Sequence, residues 1–240
     1  MSTKQVSIPD IGTVTLYKRR GNRSLRLSIG AGGEIRVSLP YWLPYRAGEQ
    51  FVLSKAPWIA ANRTRTDTAL RHGHAIGKAH RLYFDQQALA TKVSARVAAN
   101  EVRVSFPAMY SQHDHEVQLA AHKASIRALR KEAEALLPQR LEALAAQTGY
   151  TYTSVGVKQL KSRWGSCNSH KEITLNLFLM QLPWHLIDYV LVHELTHTKI
   201  MRHGAPFWKE MEKHLPRAKE LRKQMSAYHP ILSPIKRGVA

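Results

Sequence analysis

The residues best suited to chemistry sit together in one stretch, Val190 to Gly204, which reads VLVHELTHTKIMRHG. On an α-helix, residues four apart share a face and lie about 6 Å apart along the axis. His193 and His197 can therefore offer two imidazoles to one metal ion. Glu194 is turned by about 100° from the first of them, so its carboxylate reaches a water on that ion without being a ligand. Such a set supports metal-assisted hydrolysis, in which a zinc ion activates water and the carboxylate carries the proton.

A third protein donor is needed. His203 follows His197 by six residues, and in an unbroken helix it would lie about 9 Å further on and on another face. The helix must therefore end soon after His197 if the chain is to bring His203 back. Glu220, Glu210 and Glu212, supplied from a following helix, are alternative third ligands of the His-His-Glu type; His203 is the favoured one. His72 and His74, like His113 and His115, have ligand-compatible spacing but lie in polar, turn-like sequence and are read as non-ligands.

Several elements must position these residues. The turns before His193, LIDYVLV, are apolar, as suits a buried helix starting near Pro183. Short strands are expected at SVGVKQL and ITLNLFLM. Upstream, Ile126, Leu129, Ala133, Leu136, Leu137, Leu141 and Leu144 recur at helical spacing, with a break or kink at Pro138 and a stop at Gly149. The first part of the chain reads differently. Apolar residues alternate with polar ones from Thr13 to Leu39, which predicts a three-stranded meander with Arg26, Ser28, Arg36 and Ser38 on its solvated face. Two short helices broken near Pro57 follow. With Arg63 and Arg65 they hint at a helix-turn-helix, but packing of Phe51, Val52, Trp58 and Ile59 explains the pattern. HRLYF, TKVSARV and EVRVSF read as further strands. The fold class is α+β, with a β-rich N-terminal unit over 1–111 and a second unit over 112–240 that carries the histidine helix.

Composition sets outer bounds. A chain of 240 residues can bury a full core. Its formal net charge of +19 predicts attraction to polyanions such as nucleic acid or nucleotides, with no single basic stripe to define a site. Cys167 is the only cysteine, so no intrachain disulfide forms and a zinc site must be built from histidine and carboxylate. The first residues lack a secretory pattern and no apolar run is long enough to cross a bilayer, which leads to the expectation of a cytoplasmic protein.

RWGSC (Arg163 to Cys167), ITLNLFLM (Ile173 to Met180), LIDYVLVHELTH and HGAPFW (His203 to Trp208), in this order and spacing, resemble the YgjP-like metallopeptidase-domain family, itself related to the SprT-like and WLM proteases. KRRGNRSLRLSI, EIRVSLP and APWIAANR are similar to that family's N-terminal β-rich part. The resemblance implies a zincin-type catalytic domain over 112–240 with an HExxH active-site helix. It further implies His193, His197 and His203 as zinc ligands, Glu194 as catalytic acid/base, and a hairpin of RWGSC and ITLNL beside that helix. A peptide or protein substrate follows from it. Trp164, Phe207 and Trp208 are expected to pack around the site, Cys167 to be a small buried hairpin residue, and Arg163 and Tyr189 are candidate oxyanion donors. Two rival readings keep the metal: hydrolysis of a nucleotide or other phosphoanhydride, and nucleic-acid binding with a structural zinc. The first lacks a phosphate-binding glycine loop, and the second has no use for Glu194.

Overall fold

The computed structural model describes residues 2–29, 34–63 and 69–232, with side chains given except at 61–63; Arg65 lies outside the described residues. The fold is mixed α+β, and the chain packs as two compact units, Met1–Thr68 and Ala69–Ala240.

In the first unit, strands β1 (Ser2–Ile8), β2 (Gly12–Arg19), β3 (Arg26–Ile29) and β4 (Ile35–Pro40) form one sheet in the order β1-β2-β4-β3. Alternation works as anticipated on the inward face, where Val14, Leu16, Ile35, Val37 and Leu39 are buried. The sheet is not a meander, however. β4 inserts between β2 and β3, running parallel to β2 and antiparallel to β3. The link from Arg20 to Leu25 is too long for a tight hairpin, which frees β3 to take the edge. Arg26, Ser28 and Arg36 are exposed, but Ser38 is buried. Helices α1 (Tyr45–Ser54) and α2 (Ala56–Arg63) share a core with this sheet through Val52 and Ile59, while Trp58 stays half exposed.

The second unit is organised by α3 (His115–Thr148). Gly149 ends it in the left-handed conformation (φ 71°) that a helix stop requires. Pro138 does not divide it: buried Leu137 and Leu141 flank the proline, and core packing of these turns outweighs one missing backbone hydrogen bond. Two three-stranded sheets accompany the helix. β5 (Arg81–Gln87), β6 (Ser94–Val97) and β7 (Glu101–Pro107) are ordered β5-β7-β6, and β8 (Ser154–Lys158), β9 (Gly165–Cys167) and β10 (Glu172–Asn176) are ordered β8-β10-β9. Each repeats the first unit's device, a hairpin whose second strand lies parallel to an earlier one.

Composition placed the division at 111/112, whereas the compact units divide at 68/69. The reason is hydrophobic: Leu82, Val102, Val104 and Phe106 from β5 and β7 share one core with Ala121, Ala128, Leu129 and Leu141 of α3 and with Leu175, Leu191 and Leu195 further on. Strand-rich sequence and helix-rich sequence thus form a single core. Helices α4 (Trp184–His197), α5 (Ala205–His214) and α6 (Ala218–Met225) complete the unit. Among the described residues no helix is long and apolar enough to cross a membrane.

Candidate metal centre

Helix α4 is apolar on nearly every side, and Leu186, Ile187, Val190, Leu191, Val192 and Leu195 are all buried. It spans the segment WHLIDYVLVHELTH and ends at His197. The chain then turns through Thr198 and Lys199, with the N–H groups of Lys199 and Ile200 both donating to the Thr196 carbonyl. Ile200 is not among the residues with positive φ, so the reversal needs no glycine there. α5 begins at Ala205, with His203 just before it.

This early helix end brings three imidazoles together. The Nε2 atoms of His193 and His197 lie 3.2 Å apart, those of His197 and His203 3.1 Å, and those of His203 and His193 3.0 Å. Among the described residues these three alone form a histidine, cysteine or carboxylate group compact enough to hold an ion. His197 Nδ1 lies 3.1 Å from the Ile200 carbonyl oxygen, which can only accept, so Nδ1 carries the proton and Nε2 offers its lone pair. His193 Nδ1 is buried without a partner, leaving Nε2 as its engaged atom. Three nitrogens on a tetrahedral ion at about 2.05 Å would be separated by about 3.3 Å. The donor set and its spacing therefore fit one small divalent cation.

Phe207 holds the cluster from beneath. It is fully buried, and its ring lies 5.0, 4.6 and 4.8 Å from the rings of His193, His197 and His203. Burial and the neighbouring imidazoles push the His193 pKa down to about 3, and burial also lowers His197. Both are held neutral, the form that ligates. Glu210, Glu212 and Glu220 stand elsewhere: Lys199 and Lys213 pair with the first, Lys219 with the second and Arg217 with the third.

Glu194 is 5 % exposed, and burial raises its pKa to about 8, opposed by the charge of Arg163. A bound cation would favour the carboxylate form. Room for this side chain comes from Gly165 in β9. A Cβ there would sit 2.8 Å from both Cγ and Oε1 of Glu194, too close for either. Asn176 fixes the approach to that strand. Fully buried, it donates from Nδ2 to the carbonyls of Leu160 and Arg163, while its backbone N–H donates to Trp164. It also ends β10, because its Oδ1 accepts from Phe178 N and starts a turn of 3-10 helix over Leu177–Gln181. ITLNLFLM is therefore strand only as far as Asn176. Sequence reading missed Gly165 and Asn176 as positioning residues; a glycine in a strand is the one signal that pointed to a close approach.

A cleft of about 330 Å³ opens beside the histidines, lined by Tyr189, His193, His203, Trp208 and Arg222. Phe207 is core, as expected, but Trp208 faces this cleft. Trp164 is partly buried against the main core. Cys167 is half-buried; burial and the nearby Glu194 push its thiol up to about 11, so it is not a thiolate nucleophile. His72 and His74 serve backbone contacts: Phe84 N–H donates to His72 Nδ1 and Arg71 N–H to His74 Nδ1.

Residues 23–228 match the YgjP-like metallopeptidase domain, and the chain belongs to that family. It is a metallopeptidase domain of mixed α+β fold. Among solved structures it is similar to the metallopeptidase zymogen abylysin of Pyrococcus abyssi, at 30% identity over 38% of this chain and 94% of that one, with a TM-score of 0.35. It is also similar to the zymogen jannalysin of Methanocaldococcus jannaschii, at 18% identity over 42% and 94%, with a TM-score of 0.33. No curated protein matches the chain.

Proposed function

We propose that this protein is a zinc-dependent peptidase in which His193, His197 and His203 hold the ion and Glu194 is the general base. The observation that carries the reading is the convergence of three Nε2 atoms within 3.0–3.2 Å, two of them on imidazoles held neutral. When bound, the ion supplies Lewis acidity toward water and toward the peptide carbonyl. An all-histidine set suits zinc among the common divalent metals. Glu194 takes the proton released as water attacks the carbonyl and hands it to the leaving amine. Gly165 leaves the space its carboxylate occupies, Asn176 steadies the strand that bears Gly165, and Phe207 keeps the three imidazoles oriented. The cleft beside His193 and His203 favours a catalytic over a structural metal, since structural sites are closed.

Zinc content and peptide hydrolysis measured together test this reading. Wild type should hold one zinc per chain and cleave an unstructured protein such as casein. His203→Ala should lose most of the metal. Full zinc occupancy in that variant would remove His203 from the ligand set.

A further inference from the structure

The cleft contains a cation that the reaction just described does not use. Arg222, on α6, lines it together with Tyr189, Trp208 and the two histidines. Its guanidinium carbon lies 4.7 Å from the centroid of the Trp208 ring, a cation–π contact that fixes the fork beside the histidines. Trp208 in turn is stacked near His203, with centroids 6.1 Å apart and planes 29° apart. The three carboxylates of α5 and α6 are all engaged by other cations: Glu210 by Lys199 and Lys213, Glu212 by Lys219, and Glu220 by Arg217. Among the described residues no carboxylate forms an ion pair with Arg222. A guanidinium presents planar paired N–H donors that match a carboxylate, and this one is oriented without being neutralised.

We propose that Arg222, held by Trp208 at the mouth of the metal cleft, binds a carboxylate of the substrate. Tyr189 forms another wall of the same cleft, and Arg222 itself is exposed, so a substrate reaching the histidines can meet its guanidinium. The assignment rests on the peptidase reading for the identity of the substrate, but the anion site itself is built from residues outside the proposed ligand set. A substrate carboxylate has two sources, the free C-terminus of a peptide or an internal Asp or Glu side chain. The first would make the enzyme prefer chain ends, and the second would set sequence preference within a chain.

Direct binding separates this proposal from turnover. Zinc-loaded full-length Glu194→Gln protein is titrated with three fluorescein-labelled, N-terminally blocked heptapeptides. One is neutral with an amidated C-terminus, one differs only in a free C-terminus, and one differs only in an internal Glu in place of Gln. At low salt, at least one carboxylate-bearing peptide should bind on the order of tenfold more tightly than the neutral one. Arg222→Gln in the same background should abolish that difference, and Arg222→Lys should restore part of it. Equal affinities for the three peptides, a preference that survives Arg222→Gln, or no saturable binding would each overturn the proposal. If the preference follows Arg222 but wild type cleaves no peptide, the peptidase reading fails and the carboxylate site stands.

Discussion

Glu132 and Glu194 are both 5 % exposed, both on helices of the second unit, and each has a glycine opposite its carboxylate. Their surroundings differ completely. Glu132 is wrapped by the segment Lys78–His80: its oxygens accept from the backbone N–H groups of Lys78 (2.5 Å), Ala79 (3.0 Å) and His80 (2.9 Å), and lie 2.6 Å from His80 Nδ1. Lys78 also donates from Nζ to the Leu182 carbonyl, which ties this segment to the approach of α4. For Glu194, among the described residues, no donor lies within hydrogen-bond distance of the carboxylate, and burial lifts its pKa to about 8. A buried acid ringed by N–H groups is held in place by its hydrogen bonds. One left without donors keeps its proton affinity and is free to move a proton.

The sharpest test of this contrast applies the same change to both acids. Glu194→Gln should retain zinc and lose peptide hydrolysis by about 10²–10⁴-fold, read from initial rates. Glu132→Gln should keep the zinc site but lower stability by about 2–4 kcal/mol in urea melts, since an amide sets an NH₂ group against the inward-pointing N–H donors. Should folded Glu132→Gln prove as inactive as Glu194→Gln, the division of roles collapses.

The two glycines extend the comparison. A Cβ at Gly165 would displace Glu194, so Gly165→Ala should reduce turnover on the order of 10²-fold with zinc content preserved. A Cβ at Gly77 would run into the Glu132 carboxylate, and Gly77→Ala should instead lower the melting temperature, with the remaining folded enzyme active. Reversed outcomes would exchange the roles assigned to the two acids.

A smaller effect lies in the pH dependence of the metal-free protein. Glu194 has a folded pKa of about 8, above the ordinary 4.5, so the folded state binds more protons than the unfolded one between these values. Stability therefore falls as pH rises through that window, by at most about 1.4 kcal/mol per pH unit. His193 has a folded pKa of about 3, below the ordinary 6.5, so its contribution is complete above about 6.5 and is lost as pH falls toward 3. Only the Glu194 slope remains between about pH 6.5 and 8. Calorimetry of chelator-treated protein should show the melting temperature falling across that interval in wild type and flattening in Glu194→Gln. The same slope in both would assign the titration to another group.

Much of the site was legible before the structure. Helical geometry alone set His193 and His197 on one face with Glu194 beside them, and it required the helix to stop near His197 for His203 to return. The helical spacing from Ile126 to Leu144, the stop at Gly149 and the alternation of Val14, Leu16, Val37 and Leu39 follow from local patterns that a sequence window contains, whereas the continuity of α3 through Pro138 does not. Strand pairing was less accessible. β4 lies between β2 and β3, and β7 between β5 and β6, because hydrogen-bond partners in a sheet are chosen by packing of whole faces, which no window of sequence contains. The division at 68/69 instead of 111/112 has the same origin, a core shared between β5, β7 and α3.

By itself, then, the sequence determined the donor types, their spacing on α4, the neighbouring carboxylate and the family that carries them. Tertiary structure decided which distant residues surround that set. Gly165, 29 positions before Glu194, makes room for its carboxylate; Asn176 ties down the chain that presents Gly165; Arg222, 19 positions after His203, reaches the cleft over Trp208. Local chemistry follows from covalent spacing along one helix, whereas desolvation and steric fit depend on atoms that only folding brings into contact.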